Sequence, residues 1–589
     1  MTRALLVLAL LGLLAAPASA SRNPRLRAFS SCGSLAAYAR AHAGPGGPSR
    51  KDVQPTVQSP PTQTPQATGD SGQGQPGAAS GTNVQEPGID EPDVVKTEGS
   101  TLFTAVDGAL RAIDVSTPTP TLVSSLPLEG SDAQILAHEG RLLVITREFQ
   151  AVPEQPDTAR PGVAIAPGAG GTVLTEVDAR DPTAMHVVRT MRADGVFVDA
   201  RQKDAVARVV LSASPTVRPV GPVRMPEYRL AYGRRKGGRA HRLVKCAGVL
   251  HPAGYDGTGL LTVLTIDLDR GLPAIDSDAV MTSGEVVYGS PTSLYVATAA
   301  GPATTDVHKF DTSDPTRTDY RASGQLPGEL LNQYSLSELD GRLRAATTRS
   351  DGSESRVTVL EEQAGRLVPV GSVGGLGQGQ RIFAVRFMGA TGYVVTFRQI
   401  DPLYTLDLSD PTAPRVAGQL ELEGYSAYLH PVGDGLLLGI GQDATDQGRP
   451  LGTQLSLFDV SDPAHPTLLQ HAALDASSTS DVENDPHAFV WWAPSNLAVI
   501  PVRAQAFTGA LGFKVTRDGI ADAGRVSHEA EGDQVDILRA AVVGDRLLTV
   551  SNAGVEASAL DGFAPQGFLA FPPSRTPPGP VPVPAQAPR

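Results

Sequence analysis

A six-residue phrase, written five times, constrains this chain more than any other feature. Its clear copies are Phe310-Asp-Thr-Ser-Asp-Pro315, Leu406-Asp-Leu-Ser-Asp-Pro411 and Phe458-Asp-Val-Ser-Asp-Pro463; Val177-Asp-Ala-Arg-Asp-Pro182 and Ile113-Asp-Val-Ser-Thr-Pro118 are looser. Each is followed by turn residues and another apolar run. A strand, turn and strand recurring at intervals of roughly 50 to 100 residues marks a repeat architecture. Within a copy, the apolar residue and first Asp end a strand. Ser and the second Asp cap a turn through their side-chain oxygens, and Pro fixes φ without donating to a ladder. The expectation is a turn between the outer strands of a sheet. A calcium-ligating loop is the alternative, for which each copy alone supplies too few oxygens.

Short apolar or alternating runs at 101–106, 141–146, 293–298, 392–397, 435–440, 496–501 and 546–551 are separated by Gly, Asp and Pro. Each lies where the second strand of a four-stranded unit would fall. Candidate units start near residues 93, 133, 195, 284, 329, 378, 425, 486 and 535. The predicted fold is all-β, a β-propeller of four-stranded antiparallel blades. Ring closure often builds one blade from both chain ends, so the best count is eight within a range of seven to nine. Two smaller sheet domains are the rival architecture.

The propeller is expected over 83–572, with Pro/Gly/Ala-rich and basic insertions at 150–171 and 215–245. Residues 1–20 have the layout of a secretory signal peptide, with Arg3, an apolar run and Ala18-Ser19-Ala20 as cleavage site. That predicts a secreted, periplasmic or cell-envelope protein cut near Ala20. A short helix is expected within 21–43, a disordered Pro/Gly/Gln linker over 44–82 and a disordered Pro-rich tail over 573–589. No later run is long and apolar enough for a transmembrane helix. A net charge of −13 argues against nucleic acid as partner.

The two cysteines, Cys32 and Cys246, form a disulfide in an oxidising compartment or stay as buried free thiols. Two cysteines cannot complete a cysteine-rich zinc site.

Beyond strand pattern, several stretches carry a specific likeness. They are the segment 82–99 (Thr82-Asn-Val-Gln-Glu-Pro-Gly-Ile-Asp-Glu-Pro-Asp-Val-Val-Lys-Thr-Glu-Gly99), Asn332-Gln-Tyr-Ser335, Gly392-Tyr-Val-Val-Thr-Phe397 and Gly424-Tyr-Ser-Ala-Tyr-Leu-His-Pro431. Over roughly residues 82–565 the chain resembles a family of secreted bacterial proteins with a β-propeller domain, distantly similar to WD-repeat propellers. The resemblance implies export and a propeller, and it implies no reaction and no catalytic residues.

Two constellations could carry chemistry. The acidic entry motif Asp90, Glu91 and Asp93 holds a metal, or pairs with Arg and backbone amides to fix the first strand. Tyr425, Tyr428 and His430, taken as sharing one side of an extended strand, with His487 and Trp491-Trp492 nearby, are the ligand-binding candidates at the channel mouth; inner-strand packing is the bland alternative. The chain has no His-Glu-x-x-His, Gly-x-Ser-x-Gly or phosphate-loop motif. The expectation is a non-enzymatic binding or scaffold protein with a protein or glycan partner at the cell envelope. No cofactor is expected, a structural cation such as calcium being the exception left open. The alternative is a metal-dependent hydrolase or oxidoreductase with its site in the propeller channel.

Overall fold

The computed structural model describes residues 26–42, 79–149, 170–216, 223–233, 237–251, 259–282, 284–299, 303–397, 401–422, 424–445 and 449–572. Residues 1–20, read above as a signal peptide, most of the expected linker, nearly all of the 150–171 insertion and the expected tail fall outside them.

Among the described residues, most strands belong to meanders of four antiparallel strands. Nine such blades follow one another at 95–127, 131–194, 196–280, 286–327, 336–376, 381–422, 425–473, 490–526 and 537–570. Strands in a blade are neighbours in sequence, apart from insertions, as short tight connections dictate. All seven runs expected to be second strands are second strands. The count of nine is the upper end of the expected range. It exceeds eight because no blade is shared between the chain ends.

The ring closes through side chains. Successive strand residues point to opposite faces, so a blade packed on both sides buries both sets and reads as continuous apolar sequence. In blade 1, Leu102 and Val106 pack toward blade 9, against Val543, Leu548, Val550 and Phe571. Phe103 and Ala105 pack the other way, against Ile135, Leu142 and Val144 of blade 2. Equivalent apolar clusters join blades 2–3, 3–4, 4–5, 5–6, 6–7, 7–8 and 8–9. The 9–1 cluster completes the circle.

The repeated phrase forms the turn between third and fourth strands. Asp311, Asp407 and Asp459 each end a third strand. Their Oδ1 atoms accept from the backbone N of Ser313, Ser409 and Ser461 at 2.9, 3.0 and 3.0 Å. The second Asp repeats the device: Asp314 and Asp410 accept from the N of Thr316 and Thr412 at 2.9 and 2.8 Å. The phrase is therefore two linked Asx turns, with those carboxylate oxygens occupied by backbone and hydroxyl donors.

The flanks depart from expectation in two places. The basic insertion is not wholly a loop: Glu227–Tyr232 and Ala240–Arg242 form a hairpin that extends blade 2 beyond its outer strand. The linker's final residues are ordered, because Ala79 bridges Val543 and Ser80 N donates to Val542 O at 2.7 Å. The N-terminal helix α1 runs Cys32–His42, inside the expected 21–43. Ser31 Oγ accepts from Ser34 N at 3.1 Å, and Leu35 and Ala39 are buried. A Cys32–Cys246 disulfide ties this helix to blade 3, where Phe29 and Leu35 pack on Met225 and Val244. The free-thiol alternative is thereby excluded. Among the described residues no helix is long and apolar enough to cross a membrane.

Candidate functional site

The centre of the ring is lined by the first strand of each blade, and the entry motif runs through it. Residues 83–93 have no strand of their own, yet they touch most of the ring. Asn83 Nδ2 donates to Tyr428 Oη at 3.1 Å and to Pro486 O at 2.7 Å. Gln85 Nε2 donates to the carbonyls of Gln333 and Leu336 at 3.2 and 2.9 Å. Glu86 Oε1 accepts from Tyr288 Oη at 2.6 Å. Asp90 and Asp93 bridge, backbone to backbone, with Gln202 of blade 3 and Ile135 of blade 2.

A buried charge in such a place must be compensated. Asp90 lies 2.7 Å from Lys96 Nζ. Asp93 accepts from Arg539 Nε at 2.7 Å, and Arg539 Nη2 reaches Asp485 at 2.5 Å. Glu91 lies 3.7 Å from Arg201 and 3.3 Å from His487 Nε2, and accepts from Gln333 Nε2 at 3.1 Å. Arg201 also binds Asp199 at 2.7 Å. Burial alone would raise the Glu91 pKa, but Arg201 and His487 outweigh it and hold the carboxyl below its ordinary value. Burial would lower His487; its bond to Glu91 and the nearby Asp93 and Asp485 reverse that, raising it toward imidazolium. For Asp199 burial wins over Arg201, and its pKa is raised.

The acidic entry motif therefore follows its pairing alternative, each carboxylate meeting its own cation. Among the described residues no group of three or more His, Cys, Asp or Glu side chains is arranged to hold a metal ion.

The ligand-binding candidates do not share one surface. Tyr428 and His430 are buried in the ring interior, where Tyr428 Oη lies 2.9 Å from His430 Nδ1, and burial with Arg386 nearby holds that imidazole well below its ordinary pKa. His487 belongs to the Glu91 network. Tyr425 stands apart, its ring 4.7 and 4.8 Å from Phe383 and Phe397. Tyr425 lies three residues from Tyr428, so strand alternation turns it away from the buried set Ser426, Tyr428 and His430. Burial, then Glu483, pushes the Tyr425 hydroxyl up to about 12.

What stays open is at the end of the channel where first strands turn back into second strands, at Gly389, Gly433, Gly435 and Asn496, all with positive φ. There a cavity of about 710 Å³ opens beside the entry segment, lined among others by Glu86, Tyr334, Arg344, Arg386, Phe387 and Trp491. Arg344 donates through Nη2 to Ser337 Oγ at 2.6 Å and lies over the Phe387 ring at 4.9 Å. Its Nε and the Tyr334 hydroxyl have no hydrogen-bond partner among the described residues. Burial raises the Glu86 carboxyl, against the pull of Tyr288, Arg386 and Arg344. Asn332-Gln-Tyr-Ser335 carries part of the family likeness and Arg386 lies in the first strand of blade 6, yet neither stretch stands out in the sequence as a site.

A sequence profile described as "Beta propeller domain" matches residues 79–563. An uncharacterised protein of Methanocaldococcus jannaschii is 36% identical over 234 residues, 39% of this chain and 35% of that protein. Another, from Archaeoglobus fulgidus, is 40% identical over 176 residues, 30% of this chain and 27% of that protein. The chain thus spans between about a quarter and about a third of the length of these relatives. Among solved structures, a protein from Lactobacillus plantarum aligns over 52% of this chain and 95% of its own at 13% identity, TM-score 0.32. A chain of a mitotic checkpoint complex aligns over 50% and 82% at 13% identity, TM-score 0.30. With its family profile matched from the first ring-closing residue into the last blade, this chain belongs to the Beta propeller domain family.

Proposed function

We propose that the chain is an exported, non-enzymatic binding or scaffold propeller at the cell envelope, taking a protein or glycan partner in the cavity beside its entry segment. Export rests on the signal-like residues 1–20. One observation carries the binding reading: the channel's acidic groups are compensated internally, while the neighbouring cavity of about 710 Å³ keeps polar and aromatic side chains turned to open space. That volume lies in the usual range for ligand pockets, which combine apolar walls with a few convergent polar groups.

Both tryptophans of the chain, Trp491 and Trp492, stand at this mouth, Trp491 in the cavity and Trp492 in an adjoining one of about 390 Å³. Intrinsic fluorescence therefore reports on the site. Envelope glycan fragments and peptides are titrated while emission is followed, and each ligand is recovered for mass spectrometry. A saturable emission change with the ligand recovered intact is the expected result. A ligand recovered chemically changed, with stoichiometric metal in the protein, would replace this reading by the hydrolase or oxidoreductase alternative.

A further inference from the structure

We infer that the basic hairpin on the rim of blade 2 is a docking surface for a lipid bilayer that carries anionic phosphate headgroups. The hairpin stands apart from the cavity, and its role does not depend on any ligand held there. Its first strand, Glu227–Tyr232, pairs on one side with His186–Asp194, the fourth strand of the blade, and on the other with Ala240–Arg242. Neighbouring strands lie about 4.8 Å apart, so the ribbon reaches about 10 Å past the blade's own edge. It is firmly seated there. Tyr228 and Leu230 pack on the apolar cluster between blades 2 and 3, Leu243 N donates to Pro226 O at 2.8 Å, and the Cys32–Cys246 disulfide ties the end of the segment to helix α1.

Arg224, Arg229, Arg239, Arg242 and Lys245 are exposed on this segment, and Glu227 is the acid among them. Arg224 lies 3.7 Å from Glu227. Arg229 Nη1 donates to Gly238 O at 3.3 Å, and Arg242 Nη1 lies 3.7 Å from Cys32 Sγ. Among the described residues, none of Arg229, Arg239, Arg242 and Lys245 meets a carboxylate. Exposed arginines elsewhere on the ring do: Arg317 meets Asp319, Arg321 meets Glu362, and Arg415 meets Asp407. Unspent cations thus gather on one projecting ribbon of a chain whose net charge is −13.

Tyr232 decides for a bilayer over a soluble polyanion. It ends the first strand of the ribbon and is 71% exposed. A tyrosine ring has an apolar body and a polar tip, which suits the headgroup level of a membrane, whereas a dissolved polyanion satisfies the cations and gives the ring nothing to enter. The reach of the ribbon matters as well. The Debye length is about 10 Å at 0.1 M ionic strength, so a bilayer touching the ribbon is largely screened from the acidic body behind it.

Co-sedimentation of the full chain with vesicles tests this, using phosphatidylglycerol mixed into phosphatidylcholine against phosphatidylcholine alone. Binding to the anionic vesicles should be about tenfold or more tighter at about 0.1 M NaCl, and that preference should vanish at about 0.5 M. A Lys or Arg near an anionic surface contributes about fivefold in affinity, so Arg239→Gln, Arg242→Gln and Lys245→Gln together should weaken anionic binding about a hundredfold. Tyr232→Ser should weaken it several-fold while leaving binding of soluble polyphosphate unchanged. All four side chains are exposed, so urea midpoints of the variants should match wild type. Equal binding to both vesicle types, anionic binding that persists at high salt, or affinity unmoved by the triple substitution would overturn the inference. Capture of polyphosphate without capture of vesicles would overturn it in favour of a soluble polyanion. None of these results bears on the cavity, whose occupancy is read separately by Trp emission.

Discussion

His487 Nε2 stands 3.3 Å from Glu91 Oε2, joining residues 396 positions apart in the sequence. The bond ties the entry segment to blade 8 across the ring interior. It also makes stability depend on pH from both sides. Glu91 has a lowered folded pKa, so its contribution is present above the ordinary value of 4.5 and is lost on acidification. His487 has a raised folded pKa, so its contribution is complete below 6.5 and is lost as pH rises through the folded value. Both act together between those values. His487→Gln should therefore cost about 2 kcal/mol near pH 5.5 and progressively less in the alkaline range. Urea midpoints of wild type and variant across pH 5 to 9 check this, and parallel curves would count against it.

Arg539 bridges Asp93 of the entry segment and Asp485 before blade 8. Arg539→Met leaves two carboxylates without their cation. The expected loss is about 3–5 kcal/mol at neutral pH, as for breaking a buried pair from one side. Chemical unfolding at pH 7 measures it, and a loss below about 1 kcal/mol would contradict it.

Asp278 sits two residues from Asp276 on the outer strand of blade 3, which puts both on one face. Burial, then Asp276 and Asp319, push its pKa up to about 7. The folded state resists ionising this group, so wild-type stability should fall as pH rises from about 4 to 7 on its account. Asp278→Asn should remove that decline. A slope unchanged by the substitution, read from melting temperatures across this range, would contradict the assignment.

The disulfide spans 214 residues and joins helix α1 to blade 3. Ring closure lies elsewhere, in the 9–1 apolar cluster. Cys32→Ser should thus lower stability by at most roughly 5 kcal/mol in the chain-entropy model. It should raise hydrogen exchange in 27–42 while the blades stay protected. Loss of protection in blade 1 or blade 9 would show that the tether supports closure.

The turns were legible because Asp-x-Ser-Asp-Pro encodes its hydrogen bonds locally, within three residues. Second strands were legible because packing on two sides makes them apolar throughout. The entry segment's role was not: Glu91 finds Arg201, Gln333 and His487, and no local pattern announces partners so distant. Tyr425 sits an odd number of residues from Tyr428 and His430, so period two by itself separates it from them. The nine units were visible as nine, and only the assumption of a shared closing blade lowered the count.

Residues 83–93 are a built-in part of the ring, fixed by backbone bridges at Asp90–Gln202 and Asp93–Ile135 and by the charges around Glu91. Hydrogen-exchange mass spectrometry on peptides covering 84–94 tests it most directly. The account predicts slow exchange that opens together with the inner strands Ser131–His138 and Val196–Lys203. Exchange of that segment within seconds, with those strands still protected, would contradict it.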